Sequence, residues 1–389
     1  MIDIYSKAFQ QTIQVDRIIN HVKGIAPGPT LIFFAGIHGN EPAGVFALHE
    51  VLAQIQEQKS LLKGTAIGIT GNMKALSIGI RYVETDLNRL WTSNGAIKNS
   101  SEQSFAEKEE QQELMEHLSK VIKENNGPFY FFDLHTTSGS TPPFITINDT
   151  MLNRKFALQF QVPVILGIEE YLTGPLLSYI NEWGYVSLGY ESGQHDEVGS
   201  IINHKKFITK ALQLTGLTAT PKIKTLAPTD NFFEITYRHH LQQGDQFSMC
   251  KGFKNFQPIV QGQRLASQNG KWVDAPEDGV IFMPLYQQQG NDGYFLIRKI
   301  PSFFLKLSRI IREARLDNWL TYLPGINWKD GHKTTIHVNQ KIARFLASDF
   351  LHLMGYRVKQ KDAQYLVATK RENRIAGKAY SHEPWVKNR

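Results

Sequence analysis

Two short segments carry residue types that could do chemistry together. Phe33-Phe34-Ala35-Gly36-Ile37-His38-Gly39-Asn40-Glu41 is an apolar run that ends in a histidine and, three residues on, a glutamate. Phe131-Phe132-Asp133-Leu134-His135-Thr136-Thr137 ends a second apolar run in another histidine. Two histidines and one carboxylate form the usual protein ligand set of a catalytic zinc, whose fourth position is left for water. His38, Glu41 and His135 are therefore candidate ligands for one Zn2+ per chain, and a metal-dependent hydrolase is the leading reading. Taken alone, a His-x-x-Glu pair is more often a loop histidine beside a glutamate at a helix N-terminus.

The elements around these segments could bring them together. Up to about residue 225, strand-like runs alternate with helical periodicity. Thr30–Ala35, Gly64–Thr70, Pro128–Leu134, Val162–Ile168 and Tyr185–Tyr190 read as strands. Pro42–Ile55 and Ser101–Ile122 read as helices. This alternation predicts an α/β architecture, a sheet flanked by helices. Ligands of open α/β sheets bind at the carboxyl ends of strands, where both candidate segments stand. Gly36 and Gly39 permit a tight turn, and Pro42 suits the first turn of a helix.

From 226 to 300 the texture changes to short β-type runs cut by Gly, Pro, Asn and Asp, which predicts a small β domain. From 301 to 389 the pattern is mostly helical, with Phe303–Ala314 and Asn339–Met354 at helical spacing and a hairpin expected within Tyr356–Arg371. The apolar residues of Phe303–Ile311 call for some docking, and Arg374–Arg389 reads as a frayed tail.

The chain has 389 residues, 41% of them hydrophobic, which fits a globular protein of two or three domains. No apolar run approaches membrane-spanning length, and Met1–Gln10 lacks the order of a signal peptide. The lone Cys250 allows no internal disulfide, so a cytoplasmic setting is expected. The net charge of +7 is uneven: residues 301–389 hold 17 Lys/Arg against 7 Asp/Glu, and the rest of the chain is slightly acidic. No nucleic-acid-binding motif accompanies the basic region, which argues against a nucleic-acid partner. That region could pack on the body, mediate homo-oligomerisation or bind an acidic partner.

His38-Gly39-Asn40-Glu41, Asp86-Leu87-Asn88-Arg89 and Asp133-Leu134-His135-Thr136-Thr137 resemble the succinylglutamate desuccinylase/aspartoacylase family, a branch of the zinc carboxypeptidase fold. Tyr190-Glu191-Ser192-Gly193-Gln194-His195 is similar to a fourth segment of that family. The stretch Val260 to Ala266, followed by Ala275-Pro276-x-Asp278-Gly279, resembles its β domain. The resemblance covers roughly residues 30–300. It implies zinc on His38, Glu41 and His135, and Glu191 as the catalytic carboxylate that takes a proton from the attacking water. It implies Arg81 beside the developing oxyanion and Asn88 with Arg89 on the substrate carboxylate. Tyr294 aligns with a tyrosine that enters the site from the β domain. Asp86 would orient its loop, Asp133 would support a ligand, and His195 is close enough to Glu191 to enter the pocket.

The chain departs from the aspartoacylases at Leu166–Pro175, where their second carboxylate-binding arginine has no counterpart. The expected substrate is thus a small N-acyl amino acid or a related carboxylated amide. A zinc carboxypeptidase or ester hydrolase of other substrate range, or an inactive binding protein of the same fold, are the alternatives.

Overall fold

The computed structural model describes residues 1–92, 104–219, 231–329, 331–343, 348–360, 364–372 and 378–387. The expected boundary at 225/226 lies outside these residues. A hairpin of β1 (Ile2–Ser6) and β2 (Gln11–Val15) comes first. Then follow β3 (Ile18–Lys23), β4 (Ala26–Ala35), α1 (Ala43–Glu57), β5 (Lys63–Thr70), α2 (Met73–Ile78) and α3 (Ala106–Glu124). Next come β6 (Phe129–Thr137), β7 (Phe144–Ile147), α4 (Met151–Ala157), β8 (Val164–Leu166), α5 (Ile168–Tyr171), α6 (Leu176–Glu182), β9 (Val186–Gln194) and α7 (Val198–Leu214).

The β region continues with β10 (Phe232–His240), β11 (Phe247–Met249), β12 (Gln257–Ile259), β13 (Arg264–Gln268), β14 (Lys271–Asp274), β15 (Gly279–Phe282) and β16 (Asp292–Lys299). One mixed sheet of eleven strands runs through both regions in the order β12-β15-β16-β10-β8-β7-β9-β6-β4-β5-β3. The join is the parallel pairing of β8 with β10. Strands β11, β13 and β14 form a separate small sheet over a core of Met249, Leu265, Ile281 and Leu296.

The central strands are apolar throughout because both faces are covered. Leu31, Phe33 and Ala35 of β4 pack in one core with α1 and α7, while Ile32 and Phe34 pack in the other with α3 and α6. Each of these leucine, isoleucine and phenylalanine side chains contributes about 1.5–3 kcal/mol by leaving water. The same alternation turns Asp133 and His135 of β6 to one face, since successive residues of a strand point to opposite sides. β6 and β9 each extend several residues beyond the expected strand ends, so His135 and Glu191 lie within strands rather than in loops.

The C-terminal region opens with α8 (Ser302–Glu313), which docks through Leu305 and Ile311 while Phe303, Phe304 and Ile310 stay exposed. A four-stranded sheet follows: β17 (Ile326–Trp328), β18 (Thr335–Asn339), β19 (Tyr356–Gln360) and β20 (Tyr365–Lys370), in the order β17-β18-β20-β19. The expected hairpin is β19 with β20. Asn339–Met354 is not one helix. β18 runs up to Asn339, and α9 (Ser348–Leu353) is short. Pairing on both edges, with β17 and β20, buries Ile336 and Val338 and commits Asn339 to the end of the strand.

The expectation of a frayed tail is also corrected. Tyr380 is fully buried and Trp385, in α10 (Pro384–Lys387), is 5% exposed. Both pack in the main core against Tyr130, and Trp385 Nε1 donates to Tyr130 Oη at 3.1 Å. Among the described residues, no helix is long and apolar enough to cross a membrane.

Candidate active site

His38, Gly39 and Glu41 lie in the turn between β4 and α1, closed by the Glu41 N–H donating to the His38 carbonyl at 3.1 Å. The Gly39 N–H donates to the Arg81 carbonyl at 3.0 Å, so this turn also fixes the backbone at Arg81. A Cβ on Gly39 would stand 2.2 Å from the Ala75 backbone, so only glycine lets the turn approach α2 this closely. His38, Glu41 and His135 are buried, and one potential ligand atom from each lies within 4.8 Å of the others.

Glu41 stands between the two rings. His38 Nδ1 is 2.9 Å from Oε1, and His135 Nδ1 is 3.0 Å from Oε2, which also accepts from the Thr136 N–H at 2.9 Å. The other ring nitrogens meet carboxylates: His38 Nε2 is 3.2 Å from Asp86 and His135 Nε2 is 2.8 Å from Asp133. Metal-ligating histidines are commonly held in this way through their second nitrogen. Burial pushes the Glu41 carboxyl up, but the two histidines outweigh it and hold it well below the usual carboxylate range. Burial lowers His135, and Asp133 with Glu41 reverses that and raises it well above its usual value. Two imidazoles and an ionised carboxylate, buried and mutually supported, fit a divalent metal of zinc type.

Glu191 is the neighbour of His135 across β6 and β9. It is buried, and its Oε2 has no hydrogen-bond partner. Burial pushes its carboxyl up to about 8, against the lowering influence of His135 and Arg81. A proton-transfer group is most effective with a pKa near the working pH.

Arg81 Nη2 is 2.9 Å from His38 Nε2 and donates to Asp86 at 3.3 Å, while Nη1 donates to Glu41 at 3.4 Å. Asp86 accepts from the Asn88 N–H at 2.8 Å and so starts the short 3-10 turn Leu87–Arg89. Asn88 Oδ1 in turn accepts from the Leu176 N–H at 2.8 Å. Together with Arg89, these residues line a pocket of about 150 Å³, completed by Thr146, Asn148, Glu169, His195 and Gln287.

Residues 27–200 match the succinylglutamate desuccinylase/aspartoacylase catalytic domain. The succinylglutamate desuccinylase of Shewanella pealeana is 24% identical over 270 residues, covering 64% of this chain and 75% of that protein. The enzyme of the same name from Photorhabdus laumondii is 39% identical, over only 19% of this chain and 22% of its own length. The crystal structure of succinylglutamate desuccinylase from Vibrio parahaemolyticus superposes with a TM-score of 0.56 at 16% identity, covering 72% of this chain and 86% of that one. The product-bound ectoine utilization protein EutE of Ruegeria pomeroyi gives 0.53 at 20% identity, covering 71% and 87%. Across residues 27–200 the chain is thus similar to the succinylglutamate desuccinylase/aspartoacylase catalytic domain, the family that its motifs resemble.

The family is one of hydrolases, and its carboxypeptidase-like fold is the mixed sheet described above. Of the residues singled out in the sequence, His38, Glu41, Arg81, Asn88, Arg89, His135 and Glu191 meet in the pocket. Tyr294 does not. It is fully buried in the small β core, stacked on His239 with ring centres 5.0 Å apart. Strand alternation is the reason: on β16 the next residue, Phe295, faces the pocket, and Tyr294 faces the other way.

Some supporting residues escaped the sequence reading. Glu107 of α3 is fully buried, and its carboxylate accepts from the N–H groups of Val83, Glu84 and Thr85 at 2.6, 3.1 and 3.2 Å. It thereby shapes the loop between Arg81 and Asp86. Gln287 joins the β region to the site. Its Oε1 accepts from Asn40 Nδ2 at 2.8 Å and lies 3.0 Å from His195 Nε2, while His195 Nδ1 is 2.8 Å from Thr136 Oγ1. Burial lowers the His195 pKa. No sequence signal marked Glu107 or Gln287, because their partners are distant in the chain.

Proposed function

We propose that this chain is a zinc-dependent hydrolase that cleaves the amide bond of a small N-acyl amino acid or related carboxylated amide. The observation that carries the reading is the buried His38-Glu41-His135 group with Glu191 alongside in strand register. His38, Glu41 and His135 would hold the metal. When bound, a zinc ion supplies Lewis acidity and makes water nucleophilic near neutral pH.

The chain's own residues supply the rest. Glu191 accepts the proton of the attacking water and returns it to the leaving amine, a role that its raised pKa suits. Arg81 brings a fixed positive charge to the metal ligands, where charge develops on the carbonyl oxygen. Arg89, held next to Asn88, offers a planar fork to the substrate carboxylate. Asp86 and Asp133 hold the ligand histidines in position. The pocket of about 150 Å³ suits a small molecule. Relatives named as succinylglutamate desuccinylases support an N-acyl amino acid as the class. A reducing, cytoplasmic setting fits the single free cysteine.

The test is metal content by elemental analysis, followed by a hydrolysis screen of N-acetyl and N-succinyl amino acids. About one zinc per chain, lost in His38→Ala, together with turnover of at least one compound, supports the reading. Absence of zinc after incubation with the metal overturns it.

A further inference from the structure

The wall of the pocket built by α5 carries a carboxylate that the mechanism above does not use. Glu169 borders the pocket and is 1% exposed, yet neither of its carboxylate oxygens has a hydrogen-bond partner. Arg371 Nε lies 3.1 Å from Oε1, but that nitrogen makes no hydrogen bond either, so the two form an ion pair without a directed bond. The rest of the guanidinium is committed elsewhere: Nη1 donates to Asp149 Oδ2 at 3.0 Å, and Nη2 donates to Glu170. A buried carboxylate with unused acceptor capacity is costly unless a donor meets it.

The cationic side chains that line the pocket are gathered on one side of it. Arg81 and Arg89, its only lining Arg or Lys residues among those described, stand with Asp86 next to the metal ligands. Glu169 follows β8, whose neighbour β7 pairs with the Glu191 strand. A substrate with its carboxylate at Arg89 and its amide at Glu191 can thus present its side chain to Glu169. A second carboxylate there would meet like charge, whereas an ammonium would meet an acceptor that Arg371 leaves without a directed hydrogen bond.

We propose that Glu169 selects N-acyl amino acids whose side chain ends in an ammonium group, and that Arg371 is a positioning residue for it. The proposal rests on the hydrolase reading above. It also gives the C-terminal region a task. Arg312 Nη2 donates to the Asp149 carbonyl at 2.8 Å, Arg357 donates to the Glu169 carbonyl, and His352 Nε2 is 2.9 Å from Glu170. Arg312, His352, Arg357 and Arg371 thus buttress the pocket wall from behind.

The test uses the full zinc-loaded chain and N-acetyl and N-succinyl amino acids of matched length ending in ammonium, amide or carboxylate. The expected result is a kcat/KM at least tenfold higher for the ammonium compound than for the carboxylate. Glu169→Gln should collapse that ratio, and Arg371→Lys should raise KM for the ammonium compound more than it lowers kcat. Equal or reversed preference in the wild type overturns the proposal, as does a ratio unchanged in Glu169→Gln. If Glu169→Gln does not fold, the wild-type ratio decides. If no compound is hydrolysed, the hydrolase reading fails separately, and calorimetry with the free amino acids decides the point. Tighter binding of the ammonium-bearing one supports the role of Glu169, and equal or weaker binding rejects it.

Discussion

His135 and Glu191 face each other in register across the parallel strands β6 and β9. The pairing ties a candidate metal ligand and a candidate proton carrier to one rigid ladder, so their separation does not depend on loop conformation. Sites built on strands hold such geometry more tightly than sites built on loops.

Replacing Glu191 by Gln keeps the shape and removes the ionisable group. Metal content should stay near that of the wild type while kcat falls by about 10²–10⁴. Steady-state kinetics with metal analysis checks both, and undiminished turnover would remove Glu191 from the mechanism.

Asp133 meets Nε2 of the candidate metal ligand His135 at 2.8 Å. Asp133→Asn should weaken metal binding about 10–100-fold without abolishing it. Competition with a chelator of known affinity measures the change. An unaltered affinity would mean that His135 is oriented by other contacts.

Gly174 has φ +67°, and a Cβ there would lie 2.3 Å from the Arg89 carbonyl oxygen. Gly174→Ala should lower Tm, since a left-handed residue costs about 1–2 kcal/mol before the clash is counted. Because the clash falls on Arg89, KM should rise more than kcat falls. A change in stability alone would argue against Arg89 as a substrate contact.

Trp385 packs on Phe156 and Tyr130 beneath the central sheet. Trp385→Ala should destabilise the chain by about 3–5 kcal/mol. Thermal unfolding would reveal it, and a Tm within a degree of the wild type would mean that the last helix is not docked in solution.

Asp149 gives a pH signature. Burial pushes its carboxyl up, but Arg154, Arg312 and Arg371 outweigh it, and the group stays ionised well below the usual carboxylate range. Its folded pKa is therefore lower than its unfolded value of about 3.9. The stability it contributes is complete above about pH 4 and is lost as pH falls below that value toward the folded pKa. Asp149→Asn should start about 3–5 kcal/mol less stable, because it leaves buried arginines underpaired. Its Tm should then fall less steeply than that of the wild type between pH 4 and pH 2.5. Parallel curves would contradict this assignment.

By itself the sequence marked five of the strands and two of the helices in the first 220 residues, and the group His38, Glu41 and His135, with Glu191 added by the family resemblance. Those features are local: apolar runs of strand length, helical spacing, and short motifs whose ends carry the chemistry. Only the tertiary structure decided which face each strand residue took, and so that Phe295 reaches the pocket while Tyr294 turns away. It also decided that Asn339 ends a strand, that Tyr380 and Trp385 are core, and that Glu107 and Gln287 support the site. The physical reason is common to all of these. Each depends on pairing register or on partners far along the chain, and the free energy of such contacts is set by burial and by which polar groups remain to be satisfied, neither of which is written in local sequence.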